Sequence, residues 1–509
     1  MARRAFSIAP RWPGVLSGTL VLLLTLGTLA AVVARAEWNS GLSSADWAAV
    51  RFTISQAFVS ALISVALAIP VARALARRQF PGRGVVITLL GAPFLLPVIV
   101  AVLGLLAIFG RSGVLNVALG WFGLPSFSVY GFHGVVLAHV FFNLPLATRL
   151  ILQGWLAIPA ERFRLAETLN ASVWQLLEWP MLRSVVPGIF LTIFLICLTS
   201  FAVALTLGGG PKATTVELAI YQALRFDFDL GRAALLAGIQ FALCVVAAVI
   251  AWRITQLDML SGGMDRVVQR WRLPAPMWDM MVIGLAAAFL LLPLMMIVFR
   301  GLPGLFDMPM TVWNAALRSI VVASISALLC VVLAVSLGLW QSRLVAIVGV
   351  LPLAASGLVV GTGAFIVVYP FVNPAKLALV VTVLVNATLA LPFALRAIAP
   401  AISDVQRNFG RLGSSLNMGT LAWLRIVVLP RIRRPLGFGA GLAAALSMGD
   451  LGVIALFAGE TQETLPLAMY RLMGSYQMET AASAGLLLLL LSLVMFWICD
   501  RGGRANAGL

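Results

Sequence analysis

The sequence predicts an all-α polytopic membrane protein of about twelve transmembrane helices, arranged as two tandem six-helix repeats. The first observation is composition: of 509 residues, 61% are hydrophobic and 10% are charged, whereas a soluble protein carries about 25% charged residues. The second is that about twelve apolar runs approach or exceed the roughly 20 residues that a membrane-spanning helix needs. The third is a short sequence motif, here called the paired phrase, that occurs twice, with the second copy about half a chain after the first.

The predicted spans are apolar runs separated by polar or basic segments. They are 14–34, 52–72, 84–109, 131–151, 186–206, 233–252, 279–299, 313–338, 344–369, 377–395, 436–457 and 481–499. The first run has a basic start and ends at Ala34-Arg35-Ala36, as a cleaved signal peptide would. Its length of about 21 residues exceeds the usual 7–15 of a signal sequence, so we interpret it as a retained span, with cleavage as the alternative.

The net charge of +17 is a signal of topology. With both termini placed in the cytoplasm, about 25 of the 35 Lys and Arg fall on the cytoplasmic side, as the positive-inside rule demands. The outer loops are then predicted to hold both lysines and several carboxylates, including Glu217, Asp227 and Asp229. This distribution argues against nucleic acid as a partner.

Three anchors indicate an internal duplication. RLAETLN at 164–170 matches RLGSSLN at 411–417, and 144–149 matches 391–396, both at an offset of 247 residues. The stretch 215–221 matches 464–470 at an offset of 249. We place the repeats at 1–256 and 257–509. An even number of spans gives both the same orientation, so they pack around an axis normal to the membrane with a pathway between them.

Each copy of the phrase falls in a long cytoplasmic loop, 152–185 or 397–435. In the first loop, Pro159 and Glu161 predict a helix start, and Asn170 predicts a helix end because Asn tolerates the left-handed conformation. One interpretation is a pair of amphipathic helices lying on lipid headgroups. The other is a docking element, repeated because its partner is two-fold. The residues assigned to it are Arg164, Leu165, Ala166, Asn170, Arg411, Leu412, Gly413 and Asn417.

These loops resemble the "EAA" loops of binding-protein-dependent ABC importer permeases. In the second half, Asn417 stands at the family's Gly position, with Leu429-Pro430 following it; in the first half Trp179-Pro180 comes three residues early. Arg164 and Arg411 replace the family's Glu. Two permease domains fused in one chain occur in a branch that handles iron, thiamine and similar solutes. The stretches 137–153, 207–224, 447–457 and 465–470 are most similar to its thiamine-importing members.

The resemblance implies the ABC importer permease fold in the bacterial inner membrane. It also implies two partners, a dimeric ATPase subunit on the cytoplasmic side and a periplasmic thiamine-binding protein. An iron or other small-solute permease of the same branch is an alternative. A twelve-span, ion-coupled secondary transporter is a more distant one, since that class needs several titratable groups inside the membrane.

No catalytic, cofactor or metal site is predicted. The chain lacks a Gly-rich phosphate loop ending in Gly-Lys-Ser or Gly-Lys-Thr, so ATP is expected on the partner subunit. The four cysteines (Cys197, Cys244, Cys330 and Cys499) lie in or at the end of apolar spans, with no spacing typical of metal ligands or disulfides.

The translocation pathway is assigned to Asp450, His139, Pro97, Tyr221 and Tyr470. A charge within a span is costly, so Asp450 either meets a cationic solute or is paired with Arg318 or a neighbouring helix. At the offset of 247 residues its repeat partner is Val203, which confines the charge to one half. Prolines such as Pro97 are expected mainly to bend helices.

Overall fold

The computed structural model describes residues 12–37, 41–90, 96–208, 210, 213–254, 276–340, 342–459 and 462–504, which form helices and no strand. The first half contains α1 (Trp12–Leu22), α2 (Thr28–Arg35), α3 (Ser44–Arg77), α4 (Arg83–Leu89), α5 (Val98–Phe109), α6 (Val114–Trp121), α7 (Phe132–Leu156), α8 (Ala160–Thr168), α9 (Trp179–Leu198), α10 (Ala202–Leu207), α11 (Val216–Arg225) and α12 (Leu230–Ile254). The second half contains α13 (Pro276–Gly301), α14 (Met310–Trp340), α15 (Arg343–Ala354), α16 (Gly357–Val368), α17 (Ala378–Ser415), α18 (Thr420–Ala422), α19 (Leu429–Arg431), α20 (Arg433–Met448), α21 (Gly452–Phe457), α22 (Leu465–Gly474) and α23 (Met478–Arg504).

Four short segments connect these helices. Leu23–Gly27, Trp174–Glu178 and Trp423–Val428 are π-helical, and Pro374–Leu377 is a 3₁₀ turn. The π-helical segment Leu23–Gly27 joins α1 and α2 into one continuous rod. Among the described residues, eleven helical segments are long and apolar enough to cross a membrane. The chain is therefore an all-α polytopic membrane protein, as predicted.

The third and ninth predicted spans are not single helices. The run 344–369 is divided into α15 and α16 at Ala355-Ser356, where the Ser356 hydroxyl accepts a hydrogen bond from the Val359 N–H at 3.1 Å. The run 84–109 is divided into α4 and α5, and Pro97 precedes the first residue of α5. Hydropathy does not register these divisions because the residues around them remain apolar.

The fifth and eleventh spans are also broken. Helix α9 ends at Leu198 and α10 begins at Ala202; helix α20 ends at Met448 and α21 begins at Gly452, each 250 residues later. The repeat partner of Asp450 is therefore Ser200, and the prediction of Val203 is wrong. The offset grows because the second cytoplasmic loop holds three more residues than the first. The charge still belongs to one half.

Equivalent hydrogen bonds relate the halves. The Thr53 hydroxyl on α3 accepts from the Val216 N–H at the start of α11, at 2.9 Å. The Ser319 hydroxyl on α14 accepts from the Leu465 N–H at the start of α22, at 2.8 Å. The two bonds hold matching short helices against matching spans. The repeat boundary at 256/257 lies outside the described residues and stays a prediction.

The first helix of each half packs against the other half. A Cβ added to Gly363 on α16 would lie 2.3 Å from the carbonyl oxygen of Thr28 on α2, and one added to Gly104 on α5 would lie 2.6 Å from that of Pro293 on α13. Glycine permits these close approaches because it has no Cβ. Rod α1–α2 thus packs mainly against the second half and α13 mainly against the first, although α2 also contacts α12 and α13 also contacts α23.

An ion cluster fixes α13 in this exchanged position. Asp279 in its first turn is almost fully buried and accepts hydrogen bonds from Arg77, at 2.8 Å, and from Arg78, at 2.7 Å, at the end of α3. Its two arginine partners offset the desolvation cost of burying the Asp279 carboxylate, since a buried charge needs an opposite charge close to it.

Candidate functional site

Helix α8 and the last turns of α17 present matching apolar surfaces. Leu165 and Leu169 are 59% and 66% exposed, and their equivalents Leu412 and Leu416 are 56% and 64% exposed. Between them Ala166 and Gly413 are buried, whereas Arg164 and Arg411 are exposed. Each half therefore offers two leucines flanked by an arginine, on a helix whose other face is packed. We call these two areas the paired leucine surfaces.

Both helices end in the same way. Asn170 and Asn417 adopt positive φ angles of 47° and 48°, as predicted for Asn170. The next residue bonds back to the carbonyl five positions earlier, from Ala171 to Ala166 at 2.8 Å and from Met418 to Gly413 at 3.0 Å. This is the Schellman pattern, in which a left-handed residue lets orphan carbonyls find donors. The recurring Asn is thus explained by helix termination.

The two loops differ in two places. Pro159 separates α7 from α8, because it has no N–H to continue the helix. The equivalent Gln406 lies inside the unbroken α17. Past the Asn, the second loop contains the extra turn α18, which the first loop lacks. The paired leucine surfaces are thus similar but held by different connections.

The two broken spans meet where the halves join. A Cβ added to Gly452, at the start of α21, would lie 3.7 Å from the Phe201 ring and 3.8 Å from the Asp450 carboxylate. Phe201 belongs to the break of the first half. A Cβ added to Gly449 would lie 3.1 Å from the Cα of Pro97. Both breaks and Pro97 thus form one junction.

Asp450 lies within the second break. Its carboxylate faces the N–H groups of the first turn of α21 and the side-chain amide of Asn386 on α17. One carboxylate oxygen, Oδ2, has no hydrogen-bond partner among the described residues. Arg318 instead donates to the carbonyl of Glu463, at 3.5 Å. The expected alternative of an Arg318–Asp450 pair is therefore wrong, while contact with a neighbouring helix is found.

Tyr221 and Tyr470 occupy equivalent positions on α11 and α22. The Tyr221 ring lies 5.4 Å from that of Phe201, so it extends the junction toward α11. Burial raises the pKa of the Tyr470 phenol, and the nearby Tyr221 raises it further. Four of the five predicted pathway residues are thus linked through neighbouring contacts. Whether they line a route stays a prediction.

His139 lies apart from this group. It is buried in the core of the first half, and its Nδ1 is 3.4 Å from the Ser60 hydroxyl. One turn further along α7, Asn143 donates to the Cys197 sulfur near the end of α9, at 3.3 Å. His139 therefore faces the first break from inside its own half. At the offset of 247 residues its equivalent is Asn386, which lies beside Asp450.

Glu217 is a buried carboxyl that the sequence places wrongly in an outer loop. It is 0% exposed, because α11 folds back into the bundle and packs against α3, α12 and α16. Ser356 and Gln240 lie beside it, yet neither oxygen has a well-formed hydrogen bond among the described residues. Burial raises the pKa of the Glu217 carboxyl to about 8. Its repeat partner, Pro466, carries no charge.

Two glutamines secure the first break. Gln56 on α3 donates to the carbonyl of Cys197 at 3.0 Å, and Gln240 on α12 donates to that of Leu198 at 2.7 Å. They satisfy carbonyls that the end of α9 leaves without helical partners. Amides inside apolar spans were the available signal for these residues. The sequence-based assignment of pathway residues, which rests on charges and prolines, does not include them.

The geometry suits movement of a small solute. Breaks in membrane-spanning helices place backbone and side-chain polar groups around a cavity. No group of three or more metal-binding side chains occurs within the described ranges. The four cysteines are free.

Comparison with known proteins agrees with this arrangement. No protein-family model matches the chain. It is 38% identical over 532 aligned residues to the thiamine transport system permease protein ThiP of Salmonella typhimurium, covering 98% of both chains. It is equally similar to the Escherichia coli protein of that name. The Haemophilus influenzae protein of that name is 32% identical over 95% of each chain.

Proposed function

The chain belongs to the family of bacterial thiamine transport system permeases, and from this membership we propose that it is the membrane subunit of an ATP-driven thiamine importer. The 38% identity to those permeases over 98% of the chain is the observation that carries the proposal. It is a multi-pass protein of the inner membrane, and we assign both termini to the cytoplasm from the distribution of arginines.

A dimeric ATPase subunit is the proposed source of energy. The paired leucine surfaces support this assignment, since two similar apolar surfaces on one chain suit two copies of one partner. In this arrangement ATP binds and is hydrolysed on the partner, and the chain itself needs no cofactor. ATP-driven closure of the dimer would draw the two surfaces together and shift the spans above them.

A periplasmic thiamine-binding protein is the proposed donor of solute. Thiamine would then pass through the junction of the two broken spans. Its thiazolium ring carries a fixed positive charge, and the junction offers aromatic rings and the Asp450 carboxylate. At an effective dielectric near 20, a carboxylate 4 Å from the cation contributes about 4 kcal/mol before its own desolvation is subtracted. One such charge attracts the cation without trapping it.

Reconstitution in proteoliposomes tests the function. Uptake of radiolabelled thiamine is expected to require the chain, the ATPase, the binding protein and ATP together. It is expected to survive a protonophore that collapses the proton gradient. Uptake by the chain alone, driven by a pH or sodium gradient, would contradict the proposal and favour a secondary transporter.

A further inference from the structure

An apolar groove of about 420 Å³ lies on the side of the first half, between α3, α9 and the end of α12. Leu62, Ala66 and Ile69 line it from α3, Pro187 and Phe190 from α9, and Ile254 from α12. Several of these side chains are exposed in the isolated chain. Since the helices cross a membrane, the groove opens toward lipid.

The groove exists because α9 and α12 pack less closely than α20 and α23 do. Pro187 and Leu191 stand where the second half has Gly437 and Gly441, 250 residues later. A Cβ at Gly437 would lie 2.5 Å from the carbonyl oxygen of Cys499, and one at Gly441 would lie 2.9 Å from that of Phe496. These glycines let α23 lie directly on α20 and close the equivalent space. The larger residues of the first half leave it open.

The ends of the groove differ in character. Toward the middle of the membrane, Phe58 and Phe190 meet edge to face with their centroids 5.4 Å apart. At the other end, Arg183 lies one turn before Pro187 on the same face of α9, and Arg253 precedes Ile254. Both arginines are exposed, and neither has an ion pair with a described residue.

Among the described residues, Glu178, five positions before Arg183, does not offset these charges. Glu178 is fully buried and accepts two hydrogen bonds from Arg73, at 2.7 and 3.0 Å. A bidentate pair of this kind neutralises the carboxylate. The described side chains at the mouth of the groove are therefore basic, at the end of the spans that the arginine distribution assigns to the cytoplasm.

We propose that this groove binds one anionic phospholipid of the cytoplasmic leaflet, with an acyl chain between α3 and α9 and the phosphate on Arg183 and Arg253. Basic pockets between helices on this side of a membrane suit anionic headgroups. The apolar walls suit a hydrocarbon chain, and the aromatic pair sets its depth. The lipid would fill the space that close helix packing fills in the second half.

Native mass spectrometry of the purified chain, with phosphatidylglycerol or phosphatidylcholine added, tests the proposal. Retention of phosphatidylglycerol is expected to exceed that of phosphatidylcholine. Arg183→Gln and Arg253→Gln should each weaken phosphatidylglycerol retention about fivefold. Arg300→Gln, at the far end of α13, is the matched control and should change nothing.

A second variant tests the hydrocarbon part. Ala66→Phe fills the groove and should remove retention of both lipids, whereas Leu67→Phe, on a neighbouring exposed face of α3, should not. Equal retention of the two lipids by the wild-type chain would overturn the proposal. So would equal retention by wild type and Ala66→Phe, because the groove would then not hold the lipid.

Discussion

The side-chain amide of Asn386 donates a hydrogen bond to the Ser447 hydroxyl at 3.0 Å, which ties α17 to the last turn of α20. Beyond this bond the helix breaks, and Asp450 lies in the break with Asn386 also beside its carboxylate. Asn386 thus holds the end of one helix and faces the charge that follows it. The position of Asp450 is set by the bundle, which makes a substitution there informative.

Asp450→Asn is expected to slow thiamine uptake severalfold while leaving assembly and ATP hydrolysis intact. The amide keeps the size of the side chain but removes the charge that would meet a cationic solute. Uptake is measured in proteoliposomes and normalised to assembled complex. Ser200→Asn, at the equivalent position of the first half, is the control and should transport nearly normally. Normal uptake per complex with a lower melting temperature would instead make Asp450 a structural residue.

Replacing Leu165 and Leu412 together by Asp is expected to abolish co-purification of the ATPase. A charge at the centre of each paired leucine surface would have to be desolvated on docking. Replacement of both by Met keeps the surfaces apolar and should preserve the complex. Gel filtration and thermal unfolding establish that the variants are folded. Assembly that persists in the folded Asp variant would mean that the partner binds elsewhere.

Gly363→Ala and Gly104→Ala are each expected to lower the melting temperature of the purified chain. The added methyl group meets backbone of a helix from the other half, and overpacking of this kind costs about 1–3 kcal/mol. Gly284→Ala on α13 is the control, since nothing lies within 4 Å of a Cβ there. It should be neutral or slightly stabilising. Unchanged melting of both exchange-site variants would show that the exchanged contacts are looser than described.

Glu217 predicts a pH dependence of stability. Its folded pKa of about 8 lies above the ordinary value of 4.5, so between these values the folded chain holds a proton that the unfolded chain has lost. Stability should fall as pH rises through this window, by up to about 1.4 kcal/mol per pH unit. Glu217→Gln should flatten this dependence in melting curves recorded from pH 5 to 8. The exposed Glu161→Gln is the control, and an unchanged slope in Glu217→Gln would contradict the assignment.

Local sequence signals located the spans and the paired phrase well. The sequence predicts the helix end at Asn170 because such an end depends on the backbone preference of a single residue. The burial of Glu217 was missed because a carboxylate between spans looks like a loop residue until α11 is seen to fold inward. The repeat partner of Asp450 was predicted three residues away from its true position. The second half has additional residues in its cytoplasmic loop, and loop length does not affect the hydrophobic periodicity of the spans. The burial of Glu217 depends on which segments meet, which hydropathy does not encode.

The exchange of the first helices also orders the assembly of the chain in time. Gly363 leaves the ribosome 335 residues after Thr28, the residue it packs against. The nascent rod Trp12–Arg35 must therefore remain in the membrane without its second-half partners until that half is translated. Helix α13, by contrast, emerges after α3 and α5 are already made. A chain released at the middle would leave exposed the second-half side of the rod and the face of α5 that awaits α13, so both surfaces are buried only once the second half has been made.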